Sequence, residues 1–319
     1  MPVFNAAPFL YDCLSSIQAQ SYSHWELIAV NDFSTDESKQ ILIDFAQKDE
    51  RIQILNNRAK GIIPALRVAY TESKGAYITR MDADDLMFTH KLESLLAITE
   101  HRTIATGKVK YFRDLEDLGA GYARYADWLN MLIDTGSHWN SIYQECVIPS
   151  PAWMITRRTL ESIGAFDSHR YPEDYDLVFR CYEAGLEVRT TPDIIHSWRD
   201  HPQRASRNDP NYKDNRFLDI KLKYFMEIDF EPERPLVLWG AGKKGKSIAK
   251  YFVDHTLEFI WITENQKKLQ APIYGKKLQG IDSIPQGSNC IISVAGPEDQ
   301  EHIGLKLAQR KGVKSYWFC

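Results

Sequence analysis

The chain has 319 residues, of which 44% are hydrophobic, 12% aromatic and 26% charged. This composition is typical of a folded protein with a large buried core, and it excludes a disordered chain and a small fold held together by disulfides. The formal net charge of −4 disfavours nucleic acid as the main partner, because contact with a phosphate backbone usually needs a positive excess.

Signals for membranes, export and thiolate metal sites are absent from the sequence. No apolar run approaches the roughly 18 residues of a membrane span, and residues 1–5 lack the basic start of a signal peptide. The five cysteines are odd in number and widely scattered, with no C-x-x-C pair, which predicts reduced thiols. We therefore expect a cytoplasmic protein.

The charge of the chain changes along its length. Residues 1–234 carry a net charge of −9, and residues 235–319 carry a net charge of +5. The change follows residues 230–235, where two prolines and alternating charges indicate an exposed linker. We therefore predict a second, smaller domain over 235–319.

Helices and strands alternate in the first part of the chain. Apolar residues at helical spacing predict a helix around 9–17, a capping box of Ser34 and Glu37 predicts another, and a third is predicted over 63–73. Strands are predicted at 26–30, 52–55 and 76–81. This β-α-β-α-β order predicts an α/β fold with a parallel sheet, in which ligands bind beyond the carboxyl ends of the strands.

Acidic residues follow the last of these strands. Asp82, Asp84 and Asp85 would repel one another unless a cation or hydrogen-bond donors compensated them, and such oxygen ligands suit Mg²⁺ or Mn²⁺. The alternative is that Asp84 or Asp85 caps the helix that runs through Leu92 and Leu95. A cap needs one carboxylate rather than three, so we favour a metal site.

A second acidic group, Glu173, Asp174 and Asp176, opens another predicted helix. The positive end of a helix dipole stabilises carboxylates at this place. Solvated acids at a helix start and acids with a chemical role are therefore both open alternatives here.

Several segments of the first part resemble the inverting family 2 glycosyltransferases in order and spacing. They are 1–5, 16–22, 25–28, 31–36, 74–78 and 82–85. Segments similar to the acceptor-side motifs of the family follow at 164–167, 173–177 with Arg180, and 198–202. The resemblance covers residues 1–206 and implies a GT-A type Rossmann-like nucleotide-sugar-binding domain there, with a helical connection and linker over 207–234.

The resemblance also implies how a donor would be bound. Contacts with a nucleotide-sugar are implied for Pro2, Asn5, Asp32, Arg67, Asp82 and Asp84. Asp32 matches a position that contacts the base, and Arg67 is similar to an arginine that holds the nucleotide. Asp82, Asp84 and Asp85 resemble the D-x-D element, which touches the ribose and, through a divalent cation, the diphosphate.

The remaining implied roles concern the metal, the base and the acceptor. Asp84 and Asp85 are implied as ligands of Mg²⁺ or Mn²⁺, and His201 lies at a family position near the diphosphate, although an ordinary loop histidine is an equal alternative. Asp174 matches the catalytic base, with Glu173 and Trp153 on the acceptor side. A metal neutralises the leaving diphosphate, and a carboxylate takes the proton of the acceptor hydroxyl.

The sequence departs from the family at its start. Asn31 stands where the family usually has Asp, and Phe33 stands where it has Gly. Family members normally carry several apolar strand residues before the segment that here begins at Met1. We therefore expect a clipped first strand, whose upstream residues would cover Ile28 and Ile78 and stabilise the sheet.

Aromatic residues are frequent between 106 and 156, where the motifs of the family are missing and acceptor specificity is expected. The candidates for a sugar-stacking cleft are Tyr122, Tyr125, Trp128, Trp139, Tyr143 and Trp153. The helical spacing of Trp128, Leu129 and Leu132 favours an ordinary core instead, and we prefer this second interpretation for any one of the aromatics.

The tail begins with a strand, a glycine turn and a helix. The apolar strand 236–239 precedes Gly240, Gly242 and Gly245, and the helix covers 247–252. Further elements are predicted as strands 259–262, 290–294 and 313–318 and a helix over 298–310. This small Rossmann-like domain resembles nucleotide-binding-like domains fused to bacterial sugar-modifying enzymes. The turn would cradle a phosphate or serve only the chain reversal, and Glu264 only loosely meets the position of a ribose ligand.

Three functions are compatible with these patterns. We favour a metal-dependent transferase that moves a sugar, from a UDP-sugar first among nucleotide donors, to a glycan or lipid-linked acceptor in surface-polysaccharide assembly. This activity fits a cytoplasmic protein associated peripherally with the inner face of the membrane. The alternatives are an NAD-dependent oxidoreductase or epimerase centred on residues 240–245, and a non-catalytic nucleotide-sugar-binding protein.

Overall fold

The computed structural model describes residues 1–113, 120–204, 217–270 and 272–319. The chain divides into two compact units. The first unit is Met1–Trp139 with Cys146–Asn208, and the second is Asn140–Glu145 with Asp209–Cys319. The predicted linker over 207–234 falls mostly in the second unit, and its residues 207–216 lie outside the described residues.

The first unit alternates short strands and helices. Its strands are β1 (Pro2–Val3), β2 (Leu27–Asn31), β3 (Ile52–Asn56), β4 (Tyr77–Thr79), β5 (Leu86–Met87), β6 (Thr103–Phe112), β7 (Trp153–Thr156) and β8 (Glu187–Arg199). Its helices are α1 (Ala7–Gln18), α2 (Ser38–Ala46), α3 (Ile62–Glu72), α4 (Lys91–Ile98), α5 (Ala120–Thr135), α6 (Arg157–Ser162) and α7 (Glu173–Glu183). The predicted α/β class is confirmed. The predicted helix over 63–73 corresponds to α3, whose two ends each lie one residue earlier.

The strands of the first unit form two sheets. Strands β1, β2 and β3 pair in this order in parallel, and a second sheet has the order β4-β7-β6-β8-β5. The prediction that residues 76–81 continue the parallel sheet is wrong, because β4 pairs with β7 in antiparallel fashion. Residues of β2 and β4 instead line a cavity of about 350 Å³, whose wall includes Met1, Ile28 and Ile78. The expected upstream strand stays a prediction.

The start of α2 differs from the predicted capping box. The helix begins at Ser38, and the carboxylate of Asp36 accepts the Ser38 amide at 3.0 Å. The hydroxyl of Ser34 accepts a bond from the Asn5 amide at 3.1 Å, so it is used to join two loops. Helix α2 is therefore held by an aspartate two residues before it, and Ser34 serves the neighbouring turn.

The core of the first unit contains the apolar face predicted for α1. Leu10, Cys13, Leu14 and Ile17 are buried against β2, β3 and α2. A hydrophobic face of this width stabilises a helix chiefly by removing apolar surface from water. Cys13 of α1 lies 3.5 Å from the Asp82 carbonyl oxygen, so the helix packs next to the loop that carries the acidic residues.

The second unit is a smaller α/β unit. Its helices are α8 (Phe217–Tyr224), α9 (Lys243–Asp254) and α10 (Pro297–Ala308), and its strands are β9 (Leu236–Trp239), β10 (Ile260–Ile262), β11 (Asn289–Ile292) and β12 (Lys314–Trp317). The four strands are parallel in the order β10-β9-β11-β12, as expected for a Rossmann-like unit. In the described parts of the chain, neither unit has a helix that is long and apolar enough to cross a bilayer.

Candidate active site

The loop after β2 carries Asp32, which is buried and held from two sides. Its carboxylate accepts bonds from the Asn57 side-chain amide at 2.6 Å and from the Gly61 backbone amide at 3.0 Å. Gly61 has a φ of +126°, which favours glycine, so the loop can bring its amide close to Asp32. Asp32 therefore lies at the carboxyl end of β2, as predicted, with its oxygens engaged by the protein.

The segment after β1 lies beside this loop. The Asn5 side chain accepts a bond from the Thr35 amide at 2.8 Å, and Asp32 donates its amide to the Val3 carbonyl at 2.7 Å. Phe33 has a φ of +61° and an exposed ring, a backbone conformation that is uncommon for a bulky residue. The residues implied for donor binding, Pro2, Asn5 and Asp32, thus lie close together. The loop that carries Asp82, Asp84 and Asp85 packs on the same hydrophobic core, and we call these two groups of residues together the donor edge.

Asp82 reaches the second acidic group through Arg80. The guanidinium of Arg80 lies 3.2 Å from one Asp82 oxygen and 2.7 Å from Glu173 on α7. Arg80 is only 6% exposed, and its own burial is outweighed by the negative charges of Asp82, Glu173 and Asp174, which raise its pKa. The structure therefore joins the two acidic groups that the sequence left separate.

Asp84 pairs with His201. The imidazole Nε2 lies 2.9 Å from an Asp84 oxygen, and the Asp84 side chain is partly exposed. Burial raises the pKa of Asp84, but the hydrogen bond to His201 and the charge of Arg204 outweigh it and hold the pKa below its usual range. The histidine of the 198–202 segment thus lies at the acidic cluster.

Asp85 is turned inward. It accepts a bond from the Arg199 amide at 2.9 Å and lies 3.0 Å from His196 Nε2, whose other ring nitrogen is 3.3 Å from the buried Lys91. Burial, followed by the charge of Asp84, raises the pKa of Asp85 well above its usual value. Burial also lowers the pKa of Lys91 to about 7. Asp85 therefore joins the acidic cluster to β8, and because both of its oxygens have protein partners, its implied role as a metal ligand stays a prediction that this geometry does not favour.

The alternative that Asp84 or Asp85 caps the next helix is wrong. Helix α4 begins at Lys91 after His90, with no side-chain cap, and β5 separates it from the acidic cluster. The carboxylates are thus not consumed by helix capping.

Asp174 lies in the first turn of α7. Its side chain accepts a bond from the Tyr175 amide at 2.8 Å. Burial and then the charge of Glu173 raise the pKa of Asp174, Arg80 opposes them, and the resulting pKa is about 7. A carboxyl group with this pKa exchanges a proton readily near neutral pH, which suits a general base.

Two implied site residues have other partners in this structure. The Arg67 side chain donates to the Phe166 and Asp167 carbonyls, each at 2.7 Å, so it ties α3 to the loop before α7. Trp153 is 2% exposed on β7, which fits the core interpretation of its ring. The implied roles of Arg67 at the nucleotide and Trp153 at the acceptor stay predictions.

The other aromatic candidates divide between the units. Tyr125 stacks between Trp128 and Trp198 in the first unit, with ring centroids 5.8 and 6.2 Å apart. Tyr143 belongs to the second unit, where it is buried and stacks on Phe318 at 5.1 Å. Residues 114–119 of the region expected to decide acceptor specificity lie outside the described residues.

The sequence interpretation missed Arg80, Lys91 and His196. The signal for Arg80 was available, because a cation two residues before three clustered carboxylates is a natural counter-charge. His196 and Lys91 gave no signal, since the sequence does not show that β8 and α4 bring them to Asp85.

The glycine turn of the second unit is closely packed. A Cβ atom on Gly245 would lie 2.2 Å from the Gly240 carbonyl oxygen, and one on Gly240 would lie 2.5 Å from the Ser293 hydroxyl. The Gly240 carbonyl accepts a bond from the Trp261 indole at 2.8 Å, and Lys268 donates to the Ala241 carbonyl. Glu264 forms an ion pair with Lys306. The packing of the turn thus explains Gly240 and Gly245, whereas a Cβ atom on Gly242 would meet nothing within 4 Å.

A divalent cation fits the exposed side of the acidic cluster in part. Among the described residues, no three His, Cys, Asp or Glu side chains are arranged to hold a metal ion by themselves. Asp84 and His201 offer one carboxylate and one imidazole, and a cation of the Mg²⁺ type often completes its shell with substrate phosphates and water. The donor set therefore suits a metal that arrives with a diphosphate.

The mixed α/β architecture with acidic loops at strand ends defines a GT-A type nucleotide-sugar-binding fold. The chain belongs to glycosyl transferase family 2, whose sequence model matches residues 1–164. The first unit therefore carries the family's fold.

Known relatives agree with this assignment. Glycosyltransferase GlyA of Streptococcus pneumoniae is 30% identical over 215 residues, 65% of this chain and 31% of GlyA. Putative glycosyltransferase EpsE of Bacillus subtilis is 26% identical over 225 residues, 68% of this chain and 78% of EpsE. S. aureus TarS 1-349 in complex with UDP-GlcNAc matches with a TM-score of 0.53 at 14% identity, over 72% of this chain and 66% of that one, which concerns the fold alone. The chain spans 22–31% of the length of several curated relatives.

Proposed function

We propose that this protein transfers a sugar from a nucleoside diphosphate donor to an acceptor hydroxyl with inversion at the anomeric carbon, in a reaction that depends on Mg²⁺ or Mn²⁺. The observation that carries the proposal is Asp174, a carboxyl group with a pKa of about 7 beside the acidic cluster of the donor edge. Membership of the family supports transfer of a sugar as the reaction.

The residues of the donor edge hold the nucleotide in this proposal. Pro2, Asn5 and Asp32 lie where the base binds, and Asp82 faces the ribose. Arg67 contacts the nucleotide in this proposal, which requires its guanidinium to leave the Phe166 carbonyl that it bonds in this structure. Asp84 and His201 hold the metal, and Asp85 joins the acidic cluster to β8. When bound, the metal would neutralise the charge that develops on the leaving diphosphate.

Asp174 moves the proton. Its carboxylate takes the proton of the acceptor hydroxyl while the hydroxyl oxygen forms a bond to the anomeric carbon. The bond from that carbon to the diphosphate oxygen breaks in the same displacement, and the electron pair leaves with the nucleoside diphosphate. One displacement inverts the centre, so an α-linked donor gives a β-linked product.

The donor class and the acceptor are proposals of the same kind. We place UDP-sugars first, as hexosyl or N-acetylhexosaminyl donors, which the UDP-GlcNAc complex of the fold neighbour supports. The acceptor is a glycan or a lipid-linked sugar, bound beside Glu173 and Trp153, in polysaccharide biosynthesis at the cytoplasmic face of a membrane. A structural or regulatory role is proposed for the second unit, since two of its turn glycines are required by the packing of the turn itself.

A donor panel tests the proposal. Purified protein is incubated with UDP-, GDP- and dTDP-sugars, with Mn²⁺ or with EDTA, and release of nucleoside diphosphate is measured. We expect Mn²⁺-dependent release with at least one donor, from transfer or from slow hydrolysis to water. Calorimetry with NAD(H) is the comparison, and NAD binding without turnover of any sugar nucleotide would contradict the proposal in favour of an oxidoreductase.

A further inference from the structure

Arg80 lies between the two acidic groups of the site. It follows β4 directly and is almost completely buried. Its Nη1 donates to Glu173 Oε1 at 2.7 Å, and its Nε donates to Asp82 Oδ1 at 3.2 Å. One rigid guanidinium thus joins the loop of the donor edge to the first turn of α7, the turn that carries Asp174.

Removing Arg80 from its contacts with Asp82 and Glu173 should destabilise the site. A buried charge needs a partner, and removing one member of a buried pair leaves the other uncompensated. Glu173 keeps its second oxygen buried without a hydrogen-bond partner in the described residues, so Arg80 is its main compensating contact. A lysine could keep the charge, but its single ammonium lacks the planar fork that reaches two carboxylates at once.

We propose that Arg80 is a positioning residue of the transfer reaction, which holds Asp174 in register with the donor edge by bridging Asp82 and Glu173. The inference rests on the function proposed above. Arg80 acts through Asp82 and Glu173, so donor binding and base placement share one side chain. A shift of the donor-edge loop on donor binding would be transmitted to α7 through this bridge.

The role of Arg80 can be measured through the pKa of Asp174, which depends on the charges around it. Glu173 on the same helix and Asp82 on the donor-edge loop disfavour the Asp174 carboxylate, and Arg80 at the end of β4 favours it. Arg80→Met removes the favourable charge, so the pKa of Asp174 should rise. Glu173→Gln removes an unfavourable charge, so the same pKa should fall. The two substitutions therefore shift one titration in opposite directions, which general damage to the fold would not do.

The experiment is the pH dependence of kcat for nucleoside diphosphate release at saturating donor and Mn²⁺. In the wild type, kcat should rise with pH through about 7, because the base must be deprotonated. We expect the acid limb to move up by about one pH unit in Arg80→Met and down by about one in Glu173→Gln. Arg80→Lys should keep the limb near the wild-type pH and lower the plateau about tenfold, since the charge is retained and the geometry is lost.

The controls separate the possible failures. Arg51→Met removes an ion-paired arginine that bonds Asp49 elsewhere in the unit and should leave the profile unchanged. If Arg80→Met does not fold, the downward shift in Glu173→Gln with an unshifted limb in Arg80→Lys still supports the bridge. Unshifted limbs in Glu173→Gln and in every folded Arg80 variant overturn it. A wild type that releases no nucleoside diphosphate overturns the proposed function instead.

Discussion

Both units carry loops beyond the ends of strands, yet the two edges are built differently. At the donor edge, carboxylates crowd together and depend on a few cations, with Arg80 buried between Asp82 and Glu173. At the glycine turn after β9, the Gly240 carbonyl is bonded by Trp261, and Gly245 packs directly on that turn. The first edge holds several carboxylates close together, whereas the second is a turn in which Gly240 and Gly245 are tightly packed.

The comparison teaches that a strand-end position is not sufficient for a binding site. Both edges lie at strand ends, where ligands often bind in α/β folds. They differ in charge, because the first edge holds several carboxylates whose pKa values are shifted by burial and by one another, and such shifts are typical of functional sites. The pKa of about 7 at Asp174 therefore indicates that the functional site lies in the first unit.

The largest expected effect is that of Asp174→Asn. The amide cannot accept the proton of the acceptor, so kcat should fall by ~10² to 10⁴, the usual scale for loss of a general base. Calorimetry with UDP and Mn²⁺ should give the wild-type affinity, because the proposal places Asp174 at the acceptor hydroxyl and not at the nucleotide. Asp44→Asn on the exposed side of α2 is the control and should not change kcat. A collapse of UDP affinity in Asp174→Asn would place the residue in the nucleotide site.

Asp84→Asn tests the metal side of the donor edge. The asparagine amide is a weak metal ligand. Removing a residue that only hydrogen-bonds to a metal ligand already weakens metal binding about 10- to 100-fold, so loss of the ligand itself should weaken it at least as much. UDP affinity should therefore lose its dependence on Mn²⁺ at moderate Mn²⁺ concentrations. The measurement is UDP affinity with Mn²⁺ and with EDTA. An undiminished Mn²⁺ effect would exclude Asp84 as a ligand.

Gly245→Ala tests the closed edge. Its Cβ would meet the Gly240 carbonyl at 2.2 Å, so the second unit should lose about 1–3 kcal/mol by overpacking. Gly304→Ala in α10 meets nothing within 4 Å and should be neutral or gain about 0.5–1 kcal/mol. Chemical denaturation gives both values. If Gly245→Ala were as stable as Gly304→Ala, the turn would not be tightly packed at Gly245.

Asp85→Asn should have the smallest effect. The oxygen that accepts the Arg199 amide is kept, while the contact with His196 is weakened, so a loss of about 1 kcal/mol is expected. For a unit of this size, that corresponds to about 2–4 °C in Tm. UDP affinity should keep its Mn²⁺ dependence, in contrast to Asp84→Asn. Loss of that dependence would show that Asp85 is itself a ligand.

Local patterns predicted much of this fold. The apolar face of α1, the strands β2 and β3 and the alternation of the second unit follow from hydrophobic spacing and glycine turns. Pairing between distant segments could not be predicted in this way. The place of β4 beside β7 depends on a strand about eighty residues later, and no local periodicity encodes it.

The candidate site divides along the same line. The acidic residues and Asp174 could be named because their motifs are continuous in sequence. The bridge by Arg80, the inward turn of Asp85 toward His196 and the tie of Arg67 to the loop before α7 depend on tertiary packing. Continuous motifs indicated which residues to examine, and the fold decided their partners.

The central claim is that Asp174 promotes a single displacement at the anomeric carbon of a donor bound at the donor edge. The most direct measurement is proton NMR of the product formed from an α-linked donor that the protein turns over, with the coupling constant of the anomeric proton read before any equilibration. The account predicts a β-linked product. An α-linked product would contradict it, because retention requires a second displacement or an internal return that one base on α7 does not provide.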